Sequence, residues 1–253
     1  MFDVMRIPAF KDNYIWLLRK GASAVVVDPG DADPVLEVLD REKLVLDSIL
    51  ITHHHKDHQG GVVRLLERSA VPVFGPAQES ITGRTHALSG GECVSLTSLG
   101  ATMQVIAVPG HTLGHLAYYG HGCLFCGDTL FAGGCGRLFE GSPAQMHDSL
   151  TRLASLPDDT LVYCAHEYTE ANLRFALAVE PGNRSLMTRA NEVAVCRAKG
   201  MATIPSTLAV EKATNPFLRC KIPEVRMAAR ARGASAEDEV AVFAEIREWK
   251  NTF

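Results

Sequence analysis

The stretch THHHKDHQGG, Thr52 to Gly61, sets four histidines and one aspartate within six positions, after a short apolar run and before two glycines. Residues i and i+2 of an extended segment point the same way, so a strand ending at Leu50-Ile51-Thr52 can deliver His53 and His55 to one cation. Asp57 and His58, where the chain turns into the Gly60-Gly61 helix entry, can face a neighbouring site. The spacing therefore suggests two ions. His54 points to the other face and reads as a supporting or structural residue.

Two such sites need more ligands than this loop holds, and other strand ends offer them. His111 lies in VPGHTLGH after the apolar run Val105–Val108, Asp128 in FCGDTLF after a run through Phe125, and His166 in YCAHEYT after Leu161–Tyr163. A lone His or Asp at a strand end often only bonds backbone. Three in the same context, following H-x-H-x-D-H, form a set.

The first two thirds of the chain alternate short β-rich runs (Tyr14–Leu18, Ala24–Val27, Ser48–Thr52, Val71–Phe74, Met103–Val108, Cys123–Cys126) with helical patterns at Pro34–Leu39 and Gly61–Ser69. The expectation is an α/β domain over residues 1–168 with its chemistry on loops after strands. Ser142-Pro143 predicts a helix start, with Met146, Leu150 and Leu153 on one face. Beyond residue 168 helix signals repeat: Thr169 to Pro181-Gly182, Ser185 to Gly200, a short helix capped by Ser206, Pro223 to Gly233, and a last one after a Ser235/Asp238 capping box. Residues 169–253 read as a smaller, all-α domain. Cys123-Leu124-Phe125-Cys126 has metal-like spacing, yet i and i+3 of a strand face opposite sides, so packing is the expected role.

The chain has 253 residues, room for one large and one smaller domain, and 25 Lys+Arg against 29 Asp+Glu leave a net charge of only -4. That balance offers no field for nucleic acid or an anionic membrane. Seven scattered cysteines fit reduced thiols, and the N-terminus shows neither a secretory signal nor an apolar run long enough to span a bilayer. A cytoplasmic protein is expected, a monomer without nucleic-acid or membrane partners.

DNYIWLL, VVVDPGD, THHHKDHQGG, PGHTLGH, GDTLFAGGCGRLFEG, HEYT, TNPFLR and the terminal REWK together resemble the hydroxyacylglutathione hydrolases, or glyoxalase II enzymes, of the metallo-β-lactamase superfamily. The resemblance implies an αβ/βα sandwich with a two-metal site at one sheet edge and a helical C-terminal domain. It implies that His53, His55 and His111 hold one ion, that Asp57, His58 and His166 hold the other, and that Asp128 bridges them. Asp57 and Asp128 are then the catalytic carboxylates. Zinc suits these N/O donors, while iron and manganese accept them too; no organic cofactor is expected. His115 and Asp28 fit supporting roles, and His86, His121 and His147 read as ordinary surface or structural residues.

The implied reaction is hydrolysis of S-(2-hydroxyacyl)glutathione, typified by S-D-lactoylglutathione, to glutathione and D-lactate, the second step of methylglyoxal detoxification. A single Zn²⁺ lowers the pKa of bound water from about 15.7 to about 7, so a bridging hydroxide would attack the thioester. The departing thiolate, with an intrinsic pKa of about 8.5, needs little acid assistance. Substrate carboxylates would meet Arg137 in the glycine-rich GCGRLFEG loop, Tyr168, and the i, i+3 pair Arg247 and Lys250 on the last helix. Some members carry tyrosine where this chain has Phe139, which removes one hydroxyl contact. Arg219 in NPFLR reads equally as a substrate contact or a structural tie. The nearest rival is an iron-dependent glutathione persulfide dioxygenase, disfavoured by His58, His166 and the helical tail.

Overall fold

The computed structural model describes residues 2–235 and 238–253. The chain forms two compact units: one runs to Ala107 and takes in Gly114–Gly127, and the other comprises Val108–Leu113 with Asp128–Phe253.

The first unit opens with an antiparallel set, β1 (Asp3–Ala9), β2 (Asn13–Lys20) and β3 (Ser23–Val27). The sheet continues in parallel through β4 (Val45–Leu50), β5 (Val73–Pro76) and β6 (His86–Leu88). Strand β3 is apolar after Ser23, and β4 ends in the buried pair Ile49-Leu50, because parallel strands are covered on both faces. Helices α1 (Asp33–Arg41) and α3 (Val62–Arg68) bury Val35, Val38, Leu39, Val62 and Leu65 in one core with Val26, Ile49 and Val73. Each such side chain contributes about 1.5–3 kcal/mol when fully buried. Between them, α2 (Lys56–Gln59) is a single turn.

Val27 of β3 lies opposite Leu50 of β4, so the two parallel strands end together and their following loops are neighbours. This register brings Asp28 beside Thr52. A meander of β7 (Cys93–Leu96), β8 (Ala101–Ala107), β9 (Leu116–Gly120) and β10 (Cys123–Gly127) completes the unit. Tyr118 of β9 donates its hydroxyl to Ile51 O at 2.8 Å, and Leu116 N donates to Thr52 O at 2.9 Å, which ties the meander to the loop leaving β4. Cys123 and Cys126 are both buried within β10, in the packing role expected, and all seven cysteines are thiols.

In the second unit, β11 (Leu130–Phe131) and β12 (Gly134–Cys135) form a tight hairpin. Helix α4 (Pro143–Ala154) starts where the sequence predicts: Ser142 Oγ accepts from Gln145 N and Gln145 Oε1 accepts from Ser142 N, a reciprocal capping box. After β13 (Leu161–Cys164) come α5 (Thr169–Val179), α6 (Arg184–Ala198), α7 (Leu208–Thr214), α8 (Pro223–Arg230) and α9 (Glu239–Thr252). Leu173 and Ala176 of α5 pack against Leu186 and Val193 of α6.

Three local expectations shift. Asn183, not Ser185, caps α6, because its side chain accepts from Leu186 N. Thr207, not Ser206, caps α7, and its extended backbone lets Ser206–Thr207 (β14) pair with Leu161–Val162, so one strand fragment interrupts the helical tail. Of the Ser235/Asp238 box, Ala236 and Glu237 lie outside the described residues, and Asp238 itself caps α9 by accepting from Val240 N. Among the described residues no helix is long and apolar enough to cross a membrane.

Candidate metal centre

The first unit carries His53, His55, Asp57 and His58 on the loop after β4; the second carries His111, Asp128 and His166 together with Arg137, Phe139, Tyr168, Arg247 and Lys250. A chain of hydrogen bonds fixes the imidazoles of the first set. Asp28, at φ 51, accepts from Thr52 N at 2.8 Å, and its other oxygen accepts from Thr52 Oγ1 at 2.7 Å and from His58 Nδ1 at 3.0 Å. Since the single Thr52 hydroxyl proton goes to Asp28, Thr52 Oγ1 accepts from His53 Nδ1, 3.0 Å away. His53 and His58 therefore hold their protons on Nδ1 and present Nε2 lone pairs.

His53 Nε2 lies 3.0 Å from His55 Nδ1, and His58 Nε2 lies 3.6 Å from Asp57 Oδ2. In a tetrahedral zinc site with Zn–N distances of 2.0–2.1 Å, neighbouring ligand atoms stand about 3.3 Å apart, so both separations suit a pair sharing one ion. Asn13 Nδ2 donates to Asp57 Oδ2 at 3.0 Å and steadies that carboxylate. The ring of His115 stacks on that of His53 at 4.6 Å. His54 acts through its carbonyl, which accepts from Gln59 Nε2, and through an edge contact with His55. Gly30 has no room for a side chain: a Cβ would sit 1.9 Å from Asp57 O.

The second set repeats the logic. His111 Nδ1 donates to Arg137 O at 2.8 Å, leaving Nε2 as the ligand atom. That Nε2 lies 3.5 Å from Asp128 Oδ2, while His166 Nε2 lies 3.4 Å from Asp128 Oδ1. The two carboxylate oxygens thus address two different imidazoles, the arrangement a bridging ligand requires. His166 stacks face to face on Tyr168 at 4.8 Å, and Phe131 closes against both rings. The donor set, imidazole nitrogens of which His53, His58 and His111 have secured Nδ1 partners, the buried carboxylate of Asp128 and the partly exposed one of Asp57, fits divalent cations.

Beside Asp128 and His111 the second unit has a cavity of about 370 Å³ lined by Arg137, Tyr168, Arg247 and Lys250. Arg247, although buried, donates Nη1 to Cys135 O at 2.9 Å and Nη2 to Asn251 Oδ1 at 3.2 Å and rests over Phe217. Its buried Nε has no acceptor among the described residues. Lys250 lies over Phe175, and burial followed by the charges of Arg247, Arg174 and Arg137 pushes its pKa down to about 8. Such a cluster favours an anionic guest. Phe139, 63% exposed, meets the edge of His111 at 5.1 Å. Arg219 does not line this cavity: it grips Glu180 through Nε at 2.8 Å and Nη2 at 3.0 Å and also donates to Lys212 O, a structural tie that sequence left open. His86 stacks on Phe74, His121 meets Phe2 and His147 faces Glu239, each a local contact.

Comparison with known proteins gives a consistent picture. Residues 10–166 match the metallo-beta-lactamase superfamily, and residues 167–253 match the family described as hydroxyacylglutathione hydrolase C-terminus. The hydroxyacylglutathione hydrolase of Dechloromonas aromatica (strain RCB) is 58% identical, with all of both chains covered. Among solved structures, ETHE1 from Myxococcus xanthus is 28% identical at a TM-score of 0.67, covering 98% of this chain and 90% of its own. TTHA1623 in a di-iron-bound form is 28% identical at a TM-score of 0.59, covering 81% and 95%.

Proposed function

The chain belongs to the hydroxyacylglutathione hydrolase family of the metallo-β-lactamase superfamily, and from that premise we propose how its own residues carry out the reaction. It is an enzyme that hydrolyses the thioester of an S-(2-hydroxyacyl)glutathione. In our reading the substrate is typified by S-D-lactoylglutathione, and the ligands hold two divalent cations, zinc before iron or manganese. His53, His55 and His111 would hold one ion and Asp57, His58 and His166 the other, with Asp128 as the ligand they would share. When bound, such a pair supplies an acidified water and a Lewis acid for the ester carbonyl.

The observation that carries this reading is the Asp128 carboxylate, whose oxygens point separately at His111 and His166. Asp28 and the Arg137 carbonyl hold His58 and His111 in the tautomer that keeps Nε2 available. The cations of the cavity, Arg137, Lys250 and the unspent Nε of Arg247, support binding of the glutathione carboxylates there, with Tyr168 and Phe139 as walls. Residues 169–253 then serve as the substrate-binding domain and residues 1–168 as the catalytic one. The same reading makes the enzyme a cytoplasmic monomer, consistent with its thiols.

Two assays on the purified protein test the proposal. Hydrolysis of S-D-lactoylglutathione without oxygen uptake is expected. Oxygen consumption with glutathione persulfide, and no thioester cleavage, would instead favour the dioxygenase.

A further inference from the structure

The hairpin Leu130–Cys135 joins Asp128 to Arg137, and its own two-residue strands cannot hold it still. Gly136 N donates to Thr129 O at 3.2 Å, and a Cβ on Gly136 would sit 1.9 Å from Asp128 O, so hairpin and carboxylate backbone are in direct contact. Side chains from the helices that follow take up the hairpin's backbone groups one by one. Asn215 Nδ2 donates to Phe131 O at 3.2 Å and to Gly134 O at 2.9 Å. Asn172 Nδ2 donates to Ala132 O at 3.1 Å, and Glu211 Oε2 accepts from Gly133 N at 2.8 Å.

These side chains are themselves held. Glu211 is fully buried and its other oxygen accepts from Arg189 Nη2 and Ser206 Oγ, each at 2.5 Å. Arg189 also donates to Thr214 Oγ1 at 2.6 Å, and Asn215 Oδ1 caps the following turn by accepting from Phe217 N at 3.1 Å. A buried ion pair with this many partners is costly to assemble and strongly directional once assembled. Asn172 also borders the cavity, whereas Glu211, Arg189 and Asn215 are not among its lining residues.

We infer that Asn215, Asn172 and Glu211 are positioning residues, which set the hairpin and through it the bridging carboxylate of Asp128 and the guanidinium of Arg137. The inference rests on the roles given above to Asp128 and Arg137. It assigns to TNPF and to α7 a part in catalysis at a distance: a tilt of the hairpin moves both ends together, one toward the ions and one toward the substrate.

The test replaces Asn215 with serine, which keeps a hydroxyl for the Phe217 cap and adds no charge but cannot reach either hairpin carbonyl. Asn172→Ser is the companion, removing only the Ala132 contact. Each is compared with the parent in kcat, KM and the rate at which bound cations are lost to a chelator, at a temperature where circular dichroism shows a folded chain. Loss of outer hydrogen bonds to a metal site lowers cation retention about ten-fold or more, and misplacement of reacting groups by about 1 Å costs on the order of a hundred-fold in rate. A fall in both kcat and cation retention is therefore expected in Asn215→Ser, with a smaller fall in Asn172→Ser. If Asn215→Ser does not fold, cation retention in Asn172→Ser decides, because Asn172 borders the cavity and its kcat could change through direct contact. Folded variants that lose thermal stability while keeping parental kcat and cation retention would overturn the inference. Cation retention is read independently of substrate, so a parent that binds ions without cleaving the thioester would count against the function and not against this device.

Discussion

His58 turns Nδ1 to the Asp28 carboxylate at 3.0 Å, and the same oxygen receives the Thr52 hydroxyl, so one buried aspartate dictates the tautomer of two imidazoles. Replacing it with asparagine removes the negative charge that His58 Nδ1 faces. Cation affinity should fall about ten-fold to a hundred-fold, measured by competition with a chromogenic chelator. Unchanged affinity in Asp28→Asn would mean that geometry alone matters at this position.

The binding role proposed for Lys250 predicts a pH dependence of KM. Its ammonium is disfavoured by burial and by Arg247, Arg174 and Arg137, so in the resting enzyme it loses its proton near pH 8, below the ordinary lysine value. In the binding role proposed for Lys250, the protonated form attracts the glutathione carboxylates and the neutral form does not. KM should therefore rise as pH increases through about 8, with kcat less affected. Lys250→Met should show a raised KM that no longer varies over this range. A parental pH profile in that variant would remove Lys250 from the binding site.

Phe139 stands exposed against His111. Phe139→Tyr adds a hydroxyl donor at the cavity rim. A new hydrogen bond of about 1 kcal/mol lowers KM about five-fold. Steady-state kinetics should show this drop with kcat unchanged; a lower kcat at constant KM would contradict the assignment.

Arg219 and Glu180 form a two-pronged pair in which Glu180 is buried. Arg219→Ala leaves that carboxylate without its cation and should destabilise the fold by about 3 kcal/mol, read from urea unfolding. KM should stay at the parental value, since Arg219 does not line the substrate cavity.

The histidine-rich loop after β4 and most strands were legible because their signals are local. Period-two geometry after β4 separates His53 and His55 from His54, and the apolar runs of β3 and β4 mark covered parallel strands. Helix starts were less secure, since Asn183 and Thr207 compete with nearby serines for the same capping role and only the backbone decides. What the sequence hid are the long-range side-chain contacts. Glu211 and Asn215 look like ordinary helical and turn residues, yet their partners Gly133 and Gly134 lie 78 and 81 positions away. Arg219 was ambiguous for the same reason, its partner Glu180 being 39 positions distant.

Cation content measured alongside thioester hydrolysis tests the paired-ion centre most directly. The purified parent should hold two divalent ions per chain, lose hydrolysis of S-D-lactoylglutathione on their removal and regain it on their return, while Asp128→Ala should neither retain the pair nor turn over. Full hydrolysis by a chain stripped of ions, or by Asp128→Ala, would contradict it.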